Sequence, residues 1–231
     1  MFKKAIKSLR EVFQLEKQKE TEYYKKMFVE NSYWNTSDPN EEEKIRWEII
    51  EDFLQYIKSK DNSILDLGCG RGWLTNLLTS YGDVTGVEPI KPVLEYAKKI
   101  FPEINFICGT TKDLLKKREH KKFDLVVTSE VIEHVPNDFK SEFINDIFKL
   151  LNSEGYLIIT TPRKEVQKEW VLFTNPNQPV EDWISESELE KLVSERGFKK
   201  IKVERFSISP KIDAPKIEIY QLWLFQKKEN E

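Results

Sequence analysis

Residues 64–72 read Ile64-Leu65-Asp66-Leu67-Gly68-Cys69-Gly70-Arg71-Gly72, an apolar run that ends in a glycine turn, and an amphipathic helix is predicted to begin near Trp73. A short apolar run bounded by turn residues is the pattern of a strand buried on both faces of a parallel sheet. Gly68 and Gly70 permit positive φ and a close approach of backbone to a ligand, and Gly72 lets the next helix pack against the strand. This is the pattern of a nucleotide-type cofactor site. A dinucleotide site would place a pyrophosphate on the helix N-terminus. Here Asp66 stands two residues before the first glycine and repels an anion, so a cationic or zwitterionic ligand is expected.

One βα unit later, the alternating strand Val84-Thr85-Gly86-Val87 delivers Glu88 to its C-terminal end. That is about 20 residues after the glycine turn, where a carboxylate can chelate a ribose diol. Asp-x-Gly-x-Gly-x-Gly followed by Glu88 at this spacing is far more specific than a glycine turn alone. On these residues the chain resembles the class I S-adenosylmethionine-dependent methyltransferases. The resemblance implies an α/β, Rossmann-like sheet of strand order 3-2-1-4-5-7-6 with the last strand antiparallel, and S-adenosyl-L-methionine as cofactor. It further implies that Gly68 and Gly70 line the methionine end, that Asp66 holds or orders the ammonium side, and that Glu88 takes both ribose hydroxyls. Cys69, Gly72, Trp73 and Pro89 complete that end of the expected site. The adenine is expected against Thr110, Thr111, Ser129, Glu130 and Val131, in the loops after strands three and four. Many relatives carry an Asp where Thr110 stands, so here the Thr110 hydroxyl, or the Thr111 backbone, has to replace it.

The stretch Ser129-Glu130-Val131-Ile132-Glu133-His134-Val135 follows strand four at the cofactor edge, where functional groups collect in doubly wound sheets. It resembles the Glu-Val-x-Glu-His-Val stretch of ubiquinone-biosynthesis-type O-methyltransferases and of sugar and natural-product relatives. That resemblance implies His134 as general base or substrate-positioning group, with Glu133 beside it, in a metal-free reaction on a small-molecule acceptor. An imidazole suits the task because its ordinary pKa lies near neutrality. The same Glu130-x-x-Glu133-His134 also resembles the metal motif of small-RNA 3′-terminal 2′-O-methyltransferases. The further histidine that such a site uses is missing from residues 162–183, where Glu165, Glu169, Gln178, Glu181 and Asp182 are the candidates. A third reading is a cofactor-binding scaffold without catalysis. His120 precedes strand four at its opposite end and is assigned no role.

The 231 residues suit one α/β domain with a modest appendage. A third of them are charged, yet the formal net charge is only −3, which disfavours nucleic acid as a partner. Cys69 and Cys108 read as reduced, buried thiols with no disulfide or metal framework. With no signal-like leader and no run long enough to span a membrane, a cytoplasmic location is expected. Residues 1–40 read as an N-terminal helical arm and cover segment, with Phe2, Ile6, Leu9 and Phe13, then Tyr23, Tyr24, Met27 and Phe28, at helical spacing. Its Lys3, Lys4, Lys7 and Arg10 would suit a membrane surface or an acidic partner. Packing on its own domain, or on a second copy in a homodimer, is the commoner outcome. The methyltransferase domain is expected over 41–228, with a proline- and tryptophan-rich, lid-like insertion at 162–183. Trp170 and Trp183 from that insertion, and Tyr33 and Trp34 from the cover segment, are the expected walls of the acceptor pocket, with a sugar or glycan-precursor hydroxyl as one acceptor that aromatic walls would suit. A capping box at Ser185-x-x-Glu188 opens the next helix. Gly155 reads as the stop signal of the helix before strand five.

Overall fold

Consecutive residues of the central strands face opposite sides, and both sides are apolar, which is why helices cover each face. In β1 (Asn62–Leu67), Ile64 enters one core cluster and Leu65 the other. The same alternation holds for Leu125 and Val126 of β4 (Phe123–Ser129) and for Leu157 and Ile158 of β5 (Leu151–Pro162). It recurs at Leu222 and Trp223 of β7 (Ile217–Lys227). With β2 (Gly82–Glu88), β3 (Asn105–Cys108) and β6 (Phe198–Ile208), these form one seven-stranded sheet of order β3-β2-β1-β4-β5-β7-β6. β1 to β5 run parallel, and β7 pairs antiparallel with both β5 and β6. The expected strand order and the antiparallel last strand are therefore both present. The computed structural model describes residues 15, 17–58, 62–116, 121–174 and 177–229.

On one face the helix Glu41–Tyr56 contributes Ile50, Phe53 and Leu54, all fully buried. Its start is fixed by Asn40, whose side chain accepts from the Glu43 backbone N–H while Glu43 reaches back to the Asn40 N–H. On the other face Asn137–Leu150 contributes Ile144, Ile147 and Leu150, and Glu186–Ser194 contributes Leu189 and Val193. The Ser185–Glu188 capping box opens the latter as the sequence predicts. Among the described residues no helix is long and apolar enough to cross a membrane.

Two expectations need correction. Gly155 does not stop the preceding helix, which ends at Leu150 as Leu151 turns extended. It lies inside β5, just after Glu154 at φ 58 and beside a register shift of the β4–β5 pairing. A Cβ there would meet the Asn152 carbonyl at 3.1 Å and the Asp124 carbonyl at 3.2 Å, so close backbone approach selects the glycine. Cys69 is buried but Cys108 is exposed, because it ends β3, an edge strand paired only with β2. His120 and the arm residues Phe2, Ile6, Leu9, Phe13, Lys3, Lys4, Lys7 and Arg10 lie outside the described residues.

Candidate functional site

The carboxyl ends of β1, β2, β4 and β5 open on one cavity of about 730 Å³, at the edge where the strand order reverses and ligands of doubly wound sheets bind. The glycine turn forms its floor. Gly68, Gly70 and Gly72 all have positive φ, at 78°, 52° and 87°, which glycine alone adopts without strain. A Cβ on Gly68 would come within 2.3 Å of a Val131 methyl, so the loops after β1 and β4 meet there without room for a side chain. Gly72 does not face the cavity. Its missing Cβ makes room for Phe106 and Phe101, so it serves packing against β3 and the helix Lys91–Ile100 rather than against its own strand.

Two buried carboxylates lie over this floor, and among the described residues neither pairs with a lysine or arginine. Asp66 accepts a 2.6 Å bond from the Thr75 hydroxyl, which ties the end of β1 to the helix Trp73–Leu78. Glu88 accepts from the Gly70 N–H at 3.1 Å and the Ile90 N–H at 2.8 Å, one on each oxygen. Burial pushes both up to about 7, against the bonds that favour their charged forms. Each Glu88 oxygen keeps a second acceptor position. Cys69, Trp73, Pro89, Thr110, Thr111, Ser129 and Val131 also line the cavity. The Thr110 hydroxyl and N–H both bond Asp113 Oδ2, at 2.9 and 3.1 Å. Since the hydroxyl donates there, its lone pairs remain able to accept.

At the far end, the loop after β4 gathers Glu130, Glu133 and His134. Glu130, at φ 56, accepts from the Thr160 hydroxyl at 2.8 Å, and Thr160 in turn bonds the Ser129 hydroxyl at 2.9 Å. Buried Glu133 accepts from the Thr161 hydroxyl at 2.9 Å and sits 3.8 Å from His134 Nε2. Burial raises both glutamates, and their proximity raises Glu130 further, while Arg46 opposes the shift of both. His134 Nδ1 lies 2.9 Å from the Val180 carbonyl. A carbonyl only accepts, so Nδ1 carries the proton and the neutral ring presents a bare Nε2. Burial lowers the His134 pKa, partly offset by Val180 and by nearby Glu130, Glu181 and Glu20. The described residues contain no group of three or more His, Cys, Asp or Glu arranged to hold a metal ion.

The remaining walls come from segments distant in sequence. Residues 17–25 are helical and run into a π-turn at Lys26–Glu30. From this arm Tyr23, Tyr24, Met27 and Phe28 line the cavity together with Trp34. The Tyr24 ring stands edge-on to His134 at 6.0 Å between centroids. Tyr33 does not line the cavity. It is 60% exposed and meets the Trp34 ring edge-on, while its backbone N–H donates to the Asn31 side chain. Trp170 and Trp183 line the cavity and belong to the core at the same time. The stretch that carries them holds a 3₁₀ turn at Lys164–Val166 and a helical turn at Gln167–Trp170.

Two buried arginines escaped the sequence reading. Arg71, inside the glycine turn, forks onto both Glu43 oxygens at 2.7 and 2.6 Å and bonds the Thr36 carbonyl at 2.8 Å. This fastens the floor to the start of the helix Glu41–Tyr56. Arg46 bonds Glu42 at 2.7 Å, lies 3.6 Å from Glu130 and stacks over the Tyr220 ring at 4.6 Å. A charged residue inside an otherwise small and apolar turn, together with the legible Asn40–Glu43 cap, was the available signal for Arg71. Arg46 looks like a solvent-facing helix residue until β7 is in place.

Comparison with known proteins agrees with this architecture. A family model described as a methyltransferase domain matches residues 40–203. The ubiquinone biosynthesis O-methyltransferase of Glaesserella parasuis is 29% identical over 180 residues, 68% of this chain and 75% of that protein. The protein of the same name from Rickettsia prowazekii is 33% identical over 157 residues, 62% of this chain and 58% of that one; this chain thus spans little more than half of the Rickettsia relative. The N-methyltransferase NodS from Bradyrhizobium japonicum, solved with S-adenosyl-L-homocysteine, superposes with a TM-score of 0.69 at 18% identity, over 91% of this chain and 100% of its own. A fold with the expected strand reversal, a glycine floor at that reversal and a family match over most of the length place the chain in the methyltransferase-domain family, as a class I S-adenosylmethionine-dependent methyltransferase.

Proposed function

We propose that this methyltransferase acts on a hydroxyl of a small molecule held between His134 and the aromatic walls of the cavity. The observation that carries the reading is the contact of His134 Nδ1 with the Val180 carbonyl: the carbonyl can only accept, so Nδ1 donates and Nε2 is left as a proton acceptor in the cavity. Burial keeps the ring neutral at physiological pH. As the acceptor oxygen attacks, Nε2 takes its proton, and the nearby Glu133 carboxylate steadies the cation that forms. Tyr24, Trp170 and Trp183 offer flat surfaces on which a ring or sugar face can lie.

The floor fits the cofactor. S-adenosylmethionine, when bound, supplies a methyl group already activated on a sulfonium, so the chain's task is alignment and proton removal. Asp66 and Glu88 are buried without a cation of their own, which suits a ligand with positive charge. In this reading the free acceptor positions of Glu88 take the two ribose hydroxyls, and the bare backbone at Gly68 and Gly70 lets the ligand lie close. Asp66 orders the ammonium side, with Thr75 holding its carboxylate in place. Cys69, Trp73, Pro89, Thr110, Thr111, Ser129, Glu130 and Val131 surround the remainder.

The test is transfer of labelled methyl from S-adenosylmethionine into fractionated host extract, with the acceptor identified by mass spectrometry. A methylated hydroxyl in a small-molecule fraction is expected. Label found only in RNA, with transfer abolished by EDTA, would replace this reading with the metal-assisted RNA reaction.

A further inference from the structure

We infer that Lys140 is a positioning residue that holds His134 in its Nδ1–H tautomer, an inference that rests on the reading of His134 as the base. Lys140 is a buried lysine on the helix Asn137–Leu150, a location that strands a charge unless it is fully bonded. Its ammonium has three hydrogens and three acceptors: the Val135 carbonyl at 2.8 Å, Asn137 Oδ1 at 2.9 Å and the Asp182 carbonyl at 2.6 Å. Val135 directly follows His134, and Asp182 lies two residues beyond Val180, whose carbonyl receives the His134 Nδ1–H. The ammonium therefore clamps the two chain segments between which the imidazole is held. Two further bonds run across the same junction, from the Asp182 N–H to the Glu133 carbonyl at 2.8 Å and from the Asn137 N–H to Asp182 Oδ2 at 3.0 Å. Neither replaces the clamp, because removing Lys140 takes the donor from two part-buried carbonyls at once and favours local separation of the segments so that water can reach them. Separation draws the Val180 carbonyl away from Nδ1, and the ring then distributes its proton over both nitrogens. Lys140 touches no reacting atom; it acts through the orientation of His134.

The measurement is ¹⁵N NMR of histidine-labelled full-length protein above the imidazole pKa, with His120→Gln in every sample so that a single imidazole is observed. The parent is expected to show a protonated Nδ1 and a bare Nε2. Lys140→Met should shift both signals toward the averaged positions of a mixed tautomer and raise the His134 pKa toward its ordinary value. Lys140→Arg, which keeps the cation and donors, should recover part of the parental pattern, a recovery that a purely bulk-packing role for the side chain would not produce. If Lys140→Met does not fold by circular dichroism, Lys140→Gln is read in the same way. A folded variant without the ammonium that keeps the parental tautomer overturns the role of Lys140 alone. A parent with its proton on Nε2 overturns the His134 assignment itself, so the two failures are distinguishable.

Discussion

In the proposed reaction Glu88 holds the cofactor and His134 takes the acceptor proton, and their surroundings suit that division. Glu88 has one backbone donor on each oxygen, so its carboxylate is held in one orientation before a ligand arrives. Glu88→Ala is expected to weaken S-adenosylmethionine binding by about 1.5–3 kcal/mol for each charge-assisted hydrogen bond lost. Calorimetric titration measures this, and unchanged affinity would remove Glu88 from the ribose site. Hydroxyl donors favour the charged carboxylate, whereas in the ligand-free site burial, with the nearby Asp66 and Glu20 charges, pushes it up to about 7. Cofactor affinity should therefore rise between roughly pH 6 and 8, with proton release visible as a dependence of the binding heat on buffer ionisation enthalpy. His134 should affect turnover instead. His134→Ala is expected to lower it about 10²- to 10⁴-fold while cofactor affinity stays at the parental value. Because burial lowers the His134 pKa, turnover should climb with pH through a midpoint below the ordinary imidazole value and keep rising as Glu133, raised by burial, ionises.

Among the elements, the N-terminal arm and the helix Glu41–Tyr56 play distinct parts. The described part of the arm packs aromatic side chains over the cavity and supplies no strand, so the sheet is expected to form without it. The helix is a structural wall, bound to the floor through Arg71 and Glu43 and to β7 through Arg46 and Tyr220. A chain shortened to begin at Asn35 keeps Thr36 and Asp38, both of which accept from Arg71. It should retain its circular dichroism spectrum and cooperative melting while binding S-adenosylmethionine several-fold more weakly, since Tyr24 and Phe28 no longer exclude water. Loss of folding in that chain would show the arm to be part of the domain. The milder Tyr24→Ala isolates the wall nearest His134, and affinity and turnover together report whether it acts on cofactor or acceptor.

At the scale of the whole molecule, the acidic cavity has a cost that depends on pH. The folded-state pKa values of Asp66 and Glu88, raised to about 7, exceed the unfolded values of about 4. The ligand-free folded state therefore binds more protons, and stability falls as pH rises from about 4 through about 7. Burial of Glu130 and Glu133 acts in the same direction. Surface carboxylates such as Asp113, held down at about 2 by Lys116 and Thr110, finish titrating well below pH 6, and His134, lowered by burial, opposes the trend as one group against four at the acid end of this window. The ligand-free protein should melt at a lower temperature at pH 8 than at pH 6, with the gap narrowed by saturating cofactor. A higher melting temperature at pH 8 would contradict the assignment of neutral buried carboxyls. Much of this architecture follows from local rules: alternating apolar residues specify strands buried on two faces, and positive φ at a ligand floor selects glycine. Those rules operate within a few residues, so the chain by itself determined the β-strands, the glycine turn, Glu88 at the end of β2 and the Ser185 cap. The Arg71–Glu43 salt link, the stacking of Arg46 on Tyr220, the packing of Tyr24 on His134 and the Lys140–Asp182 clamp join residues from 28 up to 174 positions apart. Nothing in local periodicity encodes which distant partner a buried charge will meet; only the tertiary structure decided it, because a charge removed from water must find its partners wherever the packed chain places them.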